Sequence, residues 1–129
     1  MSRGETLRPT ESELQILKVL WKRGASTVRE VNEVLSQSKP MLYTTVLKLM
    51  QIMTEKGLVK RDLLQRAHLY EANVAESQTQ QQLVGDLLEK VFDGSASQLV
   101  MRALSNKKAS PEEISEIRNL LDEFERGKK

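Results

Sequence analysis

The chain has 129 residues, of which 39% are hydrophobic and 29% charged, and it contains no cysteine. That length suits one ordinary domain, or a small domain with an attached oligomerisation element, and the balance is that of a soluble, helix-rich chain rather than a disordered one. Lack of cysteine excludes disulfides, thiolate-held iron–sulfur clusters, zinc knuckles and thiol redox sensing within the chain, and fits a cytoplasmic setting; no stretch reads as a membrane span or a secretory signal. The net charge of +2 is unevenly spread: residues 1–75 hold 12 Lys and Arg against 8 Asp and Glu, and residues 76–129 hold 8 against 10. A polyanionic partner is therefore expected for the front part alone, although a difference of this size also arises by chance.

In chain order, Thr10-Glu11-Ser12-Glu13 reads as a capping box, followed by Leu14, Leu17, Leu20 and Trp21 at helical spacing and by Gly24 as a left-handed stop. A second box, Thr27 to Glu30, opens a helix with Val28, Val31, Val34 and Leu35 on one face. Pro40 suits the first turn of a third helix, where its missing N–H does no harm. From Met41 to Lys56, the residues Leu42, Val46, Leu49, Met50 and Met53 form an inward stripe, and Gly57 ends it. Residues 58–63 and 66–71 then read as two strands with a turn near Leu64 and Gln65. Three helices followed by a hairpin is the order of a winged helix-turn-helix, assigned to residues 1–75.

The remainder, residues 76–129, is helical in pattern. Glu76 to Gln82 is polar and reads as a linker or a helix start. Val84, Leu87, Leu88 and Val91 form a stripe that Leu83 and Phe92 extend, and Gly94 stops it. A short helix from about Ser95 to Leu104 carries Leu99, Val100, Ala103 and Leu104. Ser110-Pro111-Glu112-Glu113 opens a last helix with Ile114, Ile117, Leu121 and Phe124 inward. A segment of roughly 50 residues without staples is marginal as an independent core, so these stripes are expected to bury against a second copy, with packing onto the N-terminal domain as the alternative. The fold expected is mainly α: an N-terminal winged helix and a C-terminal helical dimerisation segment.

With the stripe of the third helix inward, Thr44, Thr45, Lys48, Gln51 and Glu55 face outward. Thr44 and Thr45 can hydrogen-bond base edges or phosphates, Lys48 can reach guanine or a phosphate, and Tyr43 offers a hydroxyl to the backbone. By itself that face is equally an ordinary solvated surface. Lys60, Arg61, Arg66 and His68 add four donors within nine residues at the hairpin, where a wing flanks phosphates. A single histidine makes a poor metal site, and packing across the hairpin is its commoner role.

Tyr43-Thr44-Thr45-Val46-Leu47, Glu55-Lys56-Gly57-Leu58-Val59 and Arg66-Ala67-His68-Leu69-Tyr70 together resemble the penicillinase-repressor family of BlaI and MecI, to which the copper repressor CopY also belongs. The resemblance extends over roughly residues 8–125 by eye. It includes Leu14 to Trp21, Val91 to Ser95 with Leu99-Val100, and Ser110 to Ile114. It implies a homodimer on an inverted repeat of TACA/TGTA type, with Thr44, Thr45 and Lys48 as readers and Arg66 and His68 at wing positions. It also implies induction through a membrane metalloprotease sensor that leads to cleavage of the repressor. The penicillin-responsive members are cut between Asn and Phe, whereas the corresponding segment here reads Leu99-Val100-Met101-Arg102-Ala103-Leu104-Ser105. Either that cleavage is not the signal, or another bond is cut. Gln65 replaces the glycine common before the wing arginine, and the absence of cysteine excludes the thiolates of the CopY branch.

An enzyme needs a nucleophile with its base, paired carboxylates in a cleft, a metal cluster or a cofactor loop. One His, no Cys and no glycine-rich phosphate loop do not provide these, so neither catalysis nor a cofactor is expected. Two other readings stay open: a winged helix used for protein–protein contact, and a nonspecific DNA binder whose affinity comes almost wholly from counterion release.

Overall fold

The computed structural model describes residues 8–63, 66–106 and 108–127. The element order is α1 (Glu11–Arg23), α2 (Val28–Ser36), α3 (Tyr43–Lys56), β1 (Val59–Asp62), β2 (Leu69–Ala72), α4 (Glu76–Phe92), α5 (Ala96–Asn106) and α6 (Pro111–Glu125). The chain divides into two compact units, 1–84 and 85–129, so the division falls inside α4, nine residues beyond the boundary expected from the sequence.

In the first unit, both expected capping boxes form. Thr10 and Thr27 accept from the amides of Glu13 and Glu30, whose carboxylates in turn accept from the threonine amides. These reciprocal bonds satisfy N-terminal N–H groups that the helix itself leaves without partners. The core is Ile16, Leu17, Leu20, Val28, Val31, Val46, Met50, Met53, Leu58, Val59 and Tyr70, with Val19 at its edge. Ile16, rather than Leu14, is the fully buried partner of Leu17 on α1; Leu14 is only half-buried. Trp21 is also half-buried, and its indole donates to the Val74 carbonyl at 2.9 Å, tying α1 to the segment ahead of α4.

Three local expectations need correction. Gly24 has positive φ but extended ψ (89°, −165°), so it redirects the chain instead of forming a left-handed cap, whereas Gly57 (84°, 10°) is left-handed. Pro40 stands outside α3, whose N-cap is Leu42. Contacts from α2 hold this stretch: the Asn32 amide donates to the Met41 carbonyl at 2.9 Å, and the Met41 N–H donates to Ser36 Oγ at 3.3 Å. Leu42 in turn leaves the stripe and is 72% exposed.

The hairpin is shorter than its sequence pattern suggests. Its register pairs Val59 with Ala72 and Asp62 with Leu69, so residues 66–68 precede β2 instead of belonging to it. The expected turn at Leu64 and Gln65 lies outside the described residues. Tyr70 fixes the register, because its ring is buried and its backbone exchanges two hydrogen bonds with Ser26 (2.9 and 2.8 Å). Ser26 thus adds a one-residue third rung to the sheet, closing three helices and a wing around one core.

In the second unit, Asp93 and Gly94 both have positive φ where α4 ends, and α5 follows from Ala96 to Asn106. Pro111 sits in the first turn of α6, behind a complete Ser110–Glu113 capping box. Neither α5 nor α6 has a buried residue. Leu99, Ile114 and Ile117 are half-buried, while Leu121 and Phe124, expected inward, are each 57% exposed within the single chain.

Candidate nucleic-acid interface

Helix α3 turns Val46, Met50 and Met53 into the core, and this fixes which residues face away. Thr44, Thr45, Lys48, Gln51 and Glu55 are all exposed, and Tyr43 at the first position is 48% exposed. The start of this helix differs chemically from those of α1, α2 and α6. Those three begin with a side-chain cap and acidic residues in the first turn; α3 has Leu42 at the cap, no side-chain cap bond and no acidic residue there. The positive end of its dipole therefore has no acidic side chain in its own first turn.

Across from Tyr43 the chain forms an open depression lined by Thr27, Arg29, Tyr43, Leu47, Arg66 and His68. It joins the start of α2, the start of α3 and the loop leading into β2. Three of the expected contact residues, Tyr43, Arg66 and His68, thus come together around one hollow. Arg61 does not join them: it lies in a separate recess with Lys60, Asp62 and Glu71. Lys60 pairs with Glu71 across the hairpin at 3.4 Å, which spends part of its charge locally.

Two residues of this surface escaped the sequence reading. Arg29 lies in the first turn of α2, where it reads as a routine solvated charge; only the fold brings it beside Tyr43 and Arg66. Leu42 was assigned to the core by its spacing, yet it is presented at the tip of α3. Among the described residues no group of three or more His, Asp or Glu is placed to hold a metal ion, and no helix is long and apolar enough to cross a membrane.

The sequence profile of the family described as penicillinase repressor matches residues 9–123. The Bacillus licheniformis penicillinase repressor is 27% identical over 120 residues, covering 93% of this chain and 94% of the relative. The Staphylococcus aureus (strain N315) methicillin resistance regulatory protein MecI is 22% identical, covering 92% and 96% respectively. The Mycobacterium tuberculosis (strain H37Rv) transcriptional regulator BlaI is 29% identical, covering 89% and 83%. A solution structure of the DNA-binding domain of the repressor BlaI aligns with a TM-score of 0.51 at 25% identity, over 57% of this chain and 89% of that one.

The family match over residues 9–123 and the likeness to the DNA-binding domain of the repressor BlaI define the class as a DNA-binding transcriptional regulator. The chain belongs to the penicillinase repressor family, whose members are transcriptional repressors and not enzymes.

Proposed function

We propose that the protein represses transcription as a homodimer, each copy setting α3 in the major groove of one half of an inverted-repeat operator of TACA/TGTA type. Thr44, Thr45 and Lys48 read base edges, with the threonine methyls and Leu42 against thymine methyl groups. Tyr43, Arg29, Arg66 and His68 hold the flanking phosphates, and Arg61 contributes positive charge on the wing. The observation that carries the reading is the juxtaposition on one surface of the exposed α3 face with the Tyr43–Arg66–His68 hollow.

Pairing of two copies is supported by the exposed apolar side chains of the C-terminal helices. Val84, Leu87 and Val91 of α4 are 47%, 43% and 61% exposed, with Leu88 half-buried beside them. Val100 and Met101 of α5 and Leu120 and Leu121 of α6 are exposed as well. Leu99, Ile114 and Ile117 complete the surface assigned to the dimer. Apolar stripes of this kind mark interaction sites, because a monomer in water gains nothing by exposing them. The setting is the cytoplasm, and relief of repression through a membrane metalloprotease sensor belongs to the same reading.

The test is fluorescence anisotropy of the full chain on its own upstream DNA and on a scrambled duplex, across a salt series. A specific repressor binds the native fragment tightly and loses affinity on scrambling. Equal, steeply salt-dependent binding to both means counterion release alone, and no binding to either means a protein-interaction module.

A further inference from the structure

Away from α3 and the wing, a groove of about 780 Å³ runs between α1 and the C-terminal end of α2. Its floor is apolar: Val19, Val34, Leu35 and Met41, each in contact with or part of the core. Its rim is basic, with Lys18, Lys22 and Lys39 exposed and Glu11 the one carboxylate lining it. Arg23 also reaches the rim but is engaged by Ser26 at 3.1 Å and Glu30 at 3.4 Å. No residue is shared between this groove and the Tyr43–Arg66–His68 hollow.

Lys18 and Lys22 stand four apart on α1, a like-charge spacing that slightly destabilises a helix, and among the described residues neither they nor Lys39 pairs with a carboxylate. The groove therefore presents uncompensated positive charge around a part-wetted apolar floor. A DNA backbone satisfies the rim and leaves the floor uncovered, because phosphates and sugars bring no apolar stripe. An amphipathic helix with acidic flanks satisfies both: its apolar residues at i, i+3, i+4 and i+7 cover the floor while its carboxylates meet the lysines.

We propose that this groove docks an acidic amphipathic helix of a partner protein, on a face separate from the one that reads DNA. The contact is electrostatically steered and salt-sensitive, and leaves the operator site free while the partner is held.

The probe is a fluorescent helical peptide of about 20 residues, long enough to hold a helix, with a leucine stripe and glutamate flanks. A lysine-flanked counterpart and a glutamate peptide with the leucines scrambled serve as controls against the full-length protein. The acidic amphipathic peptide is expected to bind saturably and to shift amide NMR signals of Lys18, Lys22, Val34 and Lys39, leaving residues 44–51 unmoved. The exposed pair Lys18→Glu with Lys22→Glu is expected to weaken that binding about tenfold, by reversing two surface ion pairs, with operator affinity and melting temperature unchanged. Lack of binding by the acidic peptide overturns the proposal, as does equal binding by either control. Equal loss of duplex-DNA affinity in the charge-reversed protein makes the rim a phosphate contact instead. Conversion of that variant to a monomer makes the groove an interface between two copies.

Discussion

Thr45 and Lys48 sit one turn apart on the exposed face of α3, where the proposed complex has them read base edges, whereas it has Arg66 and Arg29 meet only phosphate. The two groups therefore fail differently when truncated. Thr45→Ala or Lys48→Ala should cost about 1–3 kcal/mol on operator DNA and far less on random DNA, since the loss is of base-edge contacts. Arg66→Ala should weaken binding to every sequence alike and flatten the salt dependence by about one released counterion. Anisotropy on paired operator and random duplexes separates these outcomes; equal losses on both for all three variants would sink the division into readers and clamps. A second residue-scale feature holds α3 against α1. Lys56, the last residue of α3, donates to Glu13 Oε1 at 2.6 Å, and Glu13 is 2% exposed in the first turn of α1. Lys56→Met leaves the buried carboxylate, among the described residues, with the Thr10 amide as its remaining donor, at a cost of about 3 kcal/mol. The same change in a Glu13→Gln background, where no charge is stranded and the capping acceptor survives, should cost under about 1 kcal/mol. Urea unfolding of the four proteins measures this coupling, and simple additivity would show that the pair contributes nothing.

At the level of elements, two glycines isolate backbone strain from packing. A β-carbon at Gly24 or Gly57 would meet nothing within 4 Å, so any penalty there is conformational. Gly57 is in the left-handed region that asparagine tolerates, while Gly24 combines positive φ with extended ψ, a region that is essentially glycine's alone. Gly57→Asn should therefore cost about 1 kcal/mol or less and Gly24→Asn about 2–3 kcal/mol, by thermal or urea unfolding. Equal losses would mean that the turn at Gly24 relaxes. The same positions show what a sequence can specify. Capping boxes and helix stops are written in adjacent residues, so α1, α2 and α6 were legible at their N-termini. The Val46–Met50–Met53 stripe fixed the exposed face of α3, and with it Thr44, Thr45 and Lys48. What was not legible depends on partners distant in the chain. Asn32 and Ser36 hold Met41 ahead of α3, whose start lies past Pro40 with Leu42 outward. Ser26 pulls Tyr70 into register and shortens β2. Arg29 joins the wing side chains only after α2 has packed on α3.

At the scale of the whole molecule, the apolar stripes of the C-terminal helices offer the surface through which the proposed dimer would form. One winged helix contacts one half-site, and its specific affinity is bounded by a few base-edge bonds and phosphate contacts. In the proposed dimer, two copies joined through their C-terminal helices would engage both halves of an inverted repeat, with the second contact made intramolecular and worth on the order of 10²-fold or more in apparent affinity. The symmetry of such a dimer would set the half-sites about one helical turn (about 34–36 Å) or slightly more apart. Leu87 and Leu121 are exposed in the single chain, so an aspartate at either position does not disturb a packed core. In a dimer the same aspartate is buried without a partner, which is strongly unfavourable. Leu87→Asp or Leu121→Asp should accordingly keep its helical circular dichroism, become monomeric by light scattering, and lose on the order of 100-fold on the full operator. Binding to an isolated half-site should barely change. A variant that stays dimeric would remove that leucine from the interface. A monomer that retains full operator affinity would show that one winged helix suffices, and that the apolar stripes serve some purpose other than DNA binding.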